Sequence, residues 1–254
     1  MRKILVALFT LLSVCSFAQS PVATRLSSGI DLGMGYTKDN YNPSFAYYQL
    51  LNLGEKKRFS VGWTFRFAPY YGDNLNFYTA PARLTREKSG FSALAAPLVE
   101  RNIDTVRFDF ITATSANLGI RVQVNLGIVD IGASADLLGI TYGRWRTATY
   151  RSSTGLFQPD SSGSVPQPFR GANNQQRGYP TRFNVRMLGD NDIGTLNTEV
   201  YARLKITQNI KLKLGYQWLT VGVTMQNRDV VSDNNRFRHR AGLAYAALTF
   251  PLFN

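Results

Sequence analysis

Apolar and polar residues alternate one by one along much of this chain. Between residues 58 and 67, Phe59, Val61, Trp63, Phe65 and Phe67 interleave with Ser60, Gly62, Thr64 and Arg66. A strand repeats every two residues, so this stretch has one face of large apolar groups and one of small or polar groups. The same pattern predicts strands over about 26–37, 44–53, 104–126, 131–144, 194–206, 210–224 and 237–253. In the fifth of the eight segments the alternation slips phase at Leu137-Leu138, as it does at a β-bulge.

The connections take turns in length. Tight turns near 54–57, 129–130 and 208–209 alternate with longer connections over 38–43, 68–103, 145–193 and 227–235. The longest is rich in Ser, Gly, Gln, Asn and Pro between 152 and 180, which predicts a mobile surface loop. Tight turns on one side and long loops on the other are the pattern of a membrane barrel. The expectation is an all-β, single-domain, eight-stranded antiparallel transmembrane β-barrel, with ten strands if 68–103 or 145–193 hides a hairpin. No stretch approaches the roughly 20 apolar residues of a membrane helix, and a slightly negative mean hydropathy does not argue against barrel strands.

The start of the chain sets the compartment. Arg2 and Lys3, an apolar run over 4–12 and Ser16-Phe17-Ala18 read as a signal peptide over 1–18, leaving 19–254 as the barrel domain. Cys15, the only cysteine, falls in this leader, so cysteine-based redox or metal chemistry is not expected of the mature chain.

At this point the chain resembles the small outer-membrane barrels of OmpA/OmpX-like architecture, and its leader and Asn/Tyr-rich loops are similar to those of Bacteroidota envelope proteins. The resemblance rests on pattern over the whole mature chain. It implies a cell outer-membrane location and contact with the barrel-assembly machinery, which in such families reads a C-terminal Phe. Here Phe253 is penultimate and Asn254 follows. The chain ends with its last strand, so no appended peptidoglycan-binding domain is expected.

Net charge is +13; removing Arg2 and Lys3 from the 29 basic residues, and nothing from the 16 acidic ones, leaves +11. The basic residues are scattered singly on strand positions, so outer-membrane lipids or acidic polymers are expected as partners and nucleic acid is not. With the apolar face toward lipid, Asp31, Arg66, Arg107, Asp109, Arg121, Glu199, Arg203, Lys205, Lys211 and Lys213 are predicted to face a narrow interior and to pair there. That network reads as a structural plug, or else as the gate of a narrow channel for small solutes or ions. Trp63, Phe65, Phe67, Tyr70, Tyr216 and Trp218 are predicted to form an interfacial aromatic girdle.

Candidate chemistry is sparse. His239 is the only histidine, with Ser232 and Asp233 in the preceding loop, the residue types of a lipid-modifying barrel enzyme. Where the lipid A deacylases carry a Ser two residues after the His, this chain has Ala241, and Arg238-His239-Arg240 reads as a basic rim. Asp190-Asn191-Asp192 lacks the rest of a calcium loop. No catalytic, cofactor or metal site is therefore expected. The function expected is non-enzymatic, with loops 68–103 and 145–193 presented for surface structure, adhesion or the binding of an unknown extracellular or envelope partner.

Overall fold

A computed structural model describes residues 25–159 and 164–253. The leader, with Cys15, and Asn254 lie outside the described residues. Thirteen strands follow in order: β1 (Leu26–Thr37), β2 (Asn40–Leu53), β3 (Phe59–Thr79), β4 (Thr105–Asn125), β5 (Val129–Tyr142), β6 (Arg146–Ser152), β7 (Leu156–Phe157), β8 (Gln167–Pro168), β9 (Gln175–Pro180), β10 (Phe183–Val185), β11 (Leu196–Lys205), β12 (Lys211–Asp229) and β13 (Asn234–Phe253).

Eight of them close a ring. β1 through β5 pair in sequence, β5 pairs with β11, and β11, β12 and β13 follow before β13 returns to β1. All these pairings are antiparallel, so every backbone edge in the ring has a partner. The eight expected strands are this ring. The extra strands β6 and β9 add no members to it. In β5 the pairs Leu118↔Leu138 and Gly119↔Asp136 leave Leu137 without an opposite residue, a bulge at the position of the phase slip.

A second ring sits above the first. The β1–β2 hairpin turns early, at Lys38-Asp39, whereas β3, β4, β12 and β13 run on past it. Above the hairpin β3 pairs directly with β13 through Phe237↔Thr79 and Arg238↔Tyr78. On the far side β4 pairs with β6, β6 with β9, and β9 with β12. The six strands β3, β4, β6, β9, β12 and β13 thus close a narrower ring on top of the eight.

Several boundaries differ from those expected. β2 begins at Asn40, so the turn over 38–43 shrinks to two residues. The register puts Pro43 opposite Pro69, and the β2–β3 ladder lapses there because neither has an amide hydrogen to give. β3 continues to Thr79, which reduces the connection 68–103 to 80–104. β12 and β13 reduce the 227–235 loop to 230–233. The 145–193 segment is not a mobile loop over its described residues. It holds β6 to β10, and its strands are short and pair with distant partners, so local periodicity does not reveal them.

The interior follows from side-chain alternation. In the lower ring Ser60, Thr64 and Arg66 of β3 and Asn117, Arg121 and Gln123 of β4 point in and are buried, while Val61, Trp63, Leu118, Ile120 and Val122 point out and are exposed. The alternation then reverses on both strands at one level. Asp73 and Asn74 of β3, and Asp109 and Phe110 of β4, are consecutive outward residues. Above them Leu75, Phe77, Phe108 and Val106 point inward and are buried. Asn74 takes a left-handed conformation (φ 53°), which Asn tolerates better than most residues.

Candidate functional site

The lower ring encloses two sets of ion pairs, joined by hydrogen bonds through Gln123 and Tyr201. Near the bottom, Arg203 donates through Nε and Nη2 to Asp130 Oδ2 at 3.1 and 3.0 Å, and Lys211 Nζ reaches the same oxygen at 3.0 Å. Arg203 also donates to Gln123 Oε1 at 2.7 Å and to the Tyr48 hydroxyl at 2.8 Å. One step higher, Asp31 accepts from Arg121 Nη1 and Lys213 Nζ, both at 2.8 Å, and from Thr249 Oγ1 at 2.6 Å. Lys213 continues to Glu199 at 2.6 Å, and Glu199 meets Arg66 Nη2 at 3.1 Å. Arg66 in turn reaches Asp136 at 3.4 Å, and Asn117 Nδ2 caps that carboxylate at 2.9 Å.

The network answers an energetic problem. A charge withdrawn from water costs several kcal/mol unless a partner and hydrogen bonds replace the solvent. Here Asp31, Asp130, Asp136 and Glu199 face Arg66, Arg121, Arg203, Lys211 and Lys213, and Lys213 is fully enclosed. Aromatic faces take up more of the positive charge: the Arg121 guanidinium lies 4.0 Å from the Tyr48 ring centre and Lys213 Nζ 4.3 Å from that of Tyr201.

The structure brings together Asp31, Arg66, Arg121, Glu199, Arg203, Lys211 and Lys213 of the predicted interior set. It does not bring in the other three. Arg107 and Asp109 lie outside and face each other at 3.8 Å, because the phase reversal turns this end of β4 over. Lys205 is exposed at the lower end of β11. Sequence reasoning missed Asp130 and Asp136. Asp130 reads as a turn residue, and Asp136 lies next to the bulge, where the phase is ambiguous.

Above the network the interior becomes apolar. Tyr70, Leu75, Phe77, Phe108, Ile111, Leu219, Val221, Val223, Phe237 and Leu243 are buried in one apolar cluster that runs from the top of the lower ring into the upper one. Tyr70 belongs to it and not to a girdle: it points inward, fully buried, and donates its hydroxyl to Asn40. The other five predicted girdle residues point outward. Trp63 packs on Tyr47 with ring centres 5.4 Å apart, low on the wall, and Trp218 packs on Tyr216 at 5.0 Å, higher up.

His239 faces the interior of the upper ring, 5.5 Å from the Phe77 ring centre, with Nδ1 at 2.9 Å from the Asn76 carbonyl. Burial pushes its pKa below the ordinary value, against the opposing effect of that carbonyl. Ser232 donates to Asp229 and Asp233 pairs with Arg228, so among the described residues these three do not assemble into a catalytic group.

A different cluster forms on the outer wall. Asp190 accepts from Arg86 Nε at 3.1 Å and from Arg238 Nη2 at 2.8 Å, and also pairs with Arg240. Burial alone would raise its pKa, but the three guanidiniums hold it below the usual carboxylate range. Asn191 Oδ1 accepts from the Ala82 amide at 3.0 Å and Asp192 Oδ1 from the Met187 amide at 2.9 Å. The Asp-Asn-Asp fragment is thus a clamp between two connections.

No protein-family model and no curated protein matches the chain. Among solved structures, Neisserial surface protein A is similar at 10% identity, with a TM-score of 0.34, over 89% of this chain and 94% of that one. The Yersinia pestis outer membrane protein Ail, determined in a phospholipid bilayer nanodisc, is similar at 10% identity, with a TM-score of 0.33, over 89% and 99%. A Pseudomonas aeruginosa FadL homologue is similar at 8% identity, with a TM-score of 0.24, over 91% and 76%. These scores are too low to bear on function, and the barrel rests on the closed ring of pairings within this chain.

Proposed function

We propose that the protein is an integral, non-enzymatic outer-membrane barrel that holds a folded platform above the lipid for an envelope or extracellular partner. The observation that carries this reading is the reversal at Asp73-Asn74 and Asp109-Phe110. Below it the apolar face looks outward, as only a lipid solvent makes favourable over a whole ring. Above it apolar groups look inward, as in a water-soluble core. One set of strands therefore suits lipid for part of its length and water for the rest.

The upper ring and its connections, 80–104 and 143–195, are the surface offered outside, and the partner-binding role is assigned to them. A charged network followed by an apolar core fills the interior, which favours a plugged barrel over a narrow channel. The test is single-channel recording on the folded chain in planar bilayers, with heat-modifiable gel migration to verify folding. A folded, silent protein is expected. Steady salt-dependent current steps would make it a pore, with Arg66, Arg121 and Arg203 the first residues to mutate.

A further inference from the structure

The outward face of β13 changes chemistry within one step. Ala246, Ala244 and Gly242 belong to the apolar wall, and the next outward residues up the strand are Arg240 and Arg238. Gly242 is paired with Trp218 and Arg240 with Thr220. The guanidiniums therefore begin immediately above Trp218, at the height where amphipathic rings meet lipid head groups.

Two connections lean against this face and form a ledge. Gly189 and Asp190 both have left-handed backbones, and a Cβ on Gly189 would lie 2.0 Å from the Gly90 carbonyl oxygen, so the connections touch there. Between them and the wall lies a cleft of about 490 Å³ lined by Arg86, Arg238, Arg240, Asp190 and Glu100, among others. Three cations face two carboxylates, so positive charge is left over, and Arg240 is 49% exposed. Leu98 in the cleft lining is exposed, and so are Phe91 and Leu188, next to the Gly90–Gly189 contact.

We propose that this ledge binds the phosphorylated head group of an outer-leaflet glycolipid. Arg86, Arg238 and Arg240 take the phosphate, and Asp190 is the internal anion it displaces. Guanidinium forks suit phosphate oxygens, and a resident carboxylate keeps them aligned while the site is empty. Below the guanidiniums the acyl chains continue along the apolar wall of Gly242, Ala244 and Ala246. That continuity favours a lipid over a soluble phosphate. The inference rests on the membrane reading above.

The test is native mass spectrometry of the full folded chain in non-ionic detergent, titrated with a bis-phosphorylated diglucosamine lipid and with its dephosphorylated form. One phosphorylated lipid is expected to be retained, and the dephosphorylated form lost. Arg238→Gln with Arg240→Gln should lower retention roughly tenfold or more. Arg240→Gln alone, at a half-exposed position, should lower it less and serves if the pair does not fold. Asp190→Asn should raise retention, because it removes the competing anion. Equal retention of the dephosphorylated lipid, unchanged retention in the Arg variants, or inorganic phosphate binding as tightly with no lipid would overturn the proposal. Refolding into plain phosphatidylcholine vesicles separates the two readings. Insertion there without selective retention overturns the ledge alone, whereas failure to insert overturns the membrane reading and the ledge with it.

Discussion

The two rings share β3, β4, β12 and β13, yet their interiors are opposite. The lower one is lined by Asp31, Arg66, Arg121, Glu199 and Lys213, the upper one by Phe77, Phe108, Val221, Val223 and Phe237. The strands reach this in two ways. β3 and β4 change phase at Asn74 and Asp109, so the face that met the outside below turns inward above. β12 and β13 keep their phase and change residues: on the inward face of β12, Lys213 and Gln217 give way to Leu219, Val221 and Val223. Alternation thus fixes which residues share a face, and the surrounding solvent decides which face is inside.

The comparison can be broken hardest from below. Asp31→Ala leaves Arg121 without a carboxylate and Lys213 with one, and should cost about 3–5 kcal/mol as an uncompensated buried charge. The check is the urea midpoint of gel-shift unfolding in detergent, and an unchanged midpoint would mean that the lower interior is hydrated enough to tolerate the loss. From above, Met225→Ala should cost about 2–4 kcal/mol through the cavity it leaves. Here the sharper readout is limited proteolysis: connections 80–104 and 143–195 should become cleavable while the lower ring keeps its heat-modifiable migration.

Smaller effects sharpen the boundary between the rings. Asn74→Val puts a β-branched residue at positive φ and also removes the acceptor for Arg107 Nη2 at 2.7 Å, for a loss of about 1–2 kcal/mol. Asn74→Gly should lose less, and equal losses for the two would mean that backbone conformation is not what the reversal requires. The smallest effect is on pH dependence. The folded state holds His239 below its ordinary pKa of 6.5, so the unfolded chain binds the extra proton first. The contribution is fully present above that pH and is lost as pH falls below it, for the upper ring only. His239→Gln should remove this part of the pH dependence of protease resistance.

Much of the lower ring was legible in the sequence. Eight alternating segments, three tight turns and the slip at Leu137 are each written in local order, and so is most of the charge network. The upper ring was not legible, for a physical reason. Val106, Phe108 and Phe110 continue the alternation of β4 without a break, because apolar residues suit lipid and a dry core equally. Nothing in that run marks where Phe110 stays outside and Phe108 turns in, so alternation alone puts Arg107 and Asp109 on the wrong side. Tyr70 is ambiguous in the same way: an amphipathic ring fits an interface or a core with one hydrogen-bond partner such as Asn40. The Asp190 cluster was hidden because its members come from three separate parts of the chain.

The early turn of the β1–β2 hairpin has a kinetic consequence. Because it stops short, β13 is the closing strand twice over, against β1 below and against β3 above. Both closures join residues far apart in the chain, and loop-closure entropy makes such contacts slow to form. β13 follows all the other described strands, so neither ring can seal until the chain through 253 is available. Both cylinders should therefore complete in a single late, cooperative event.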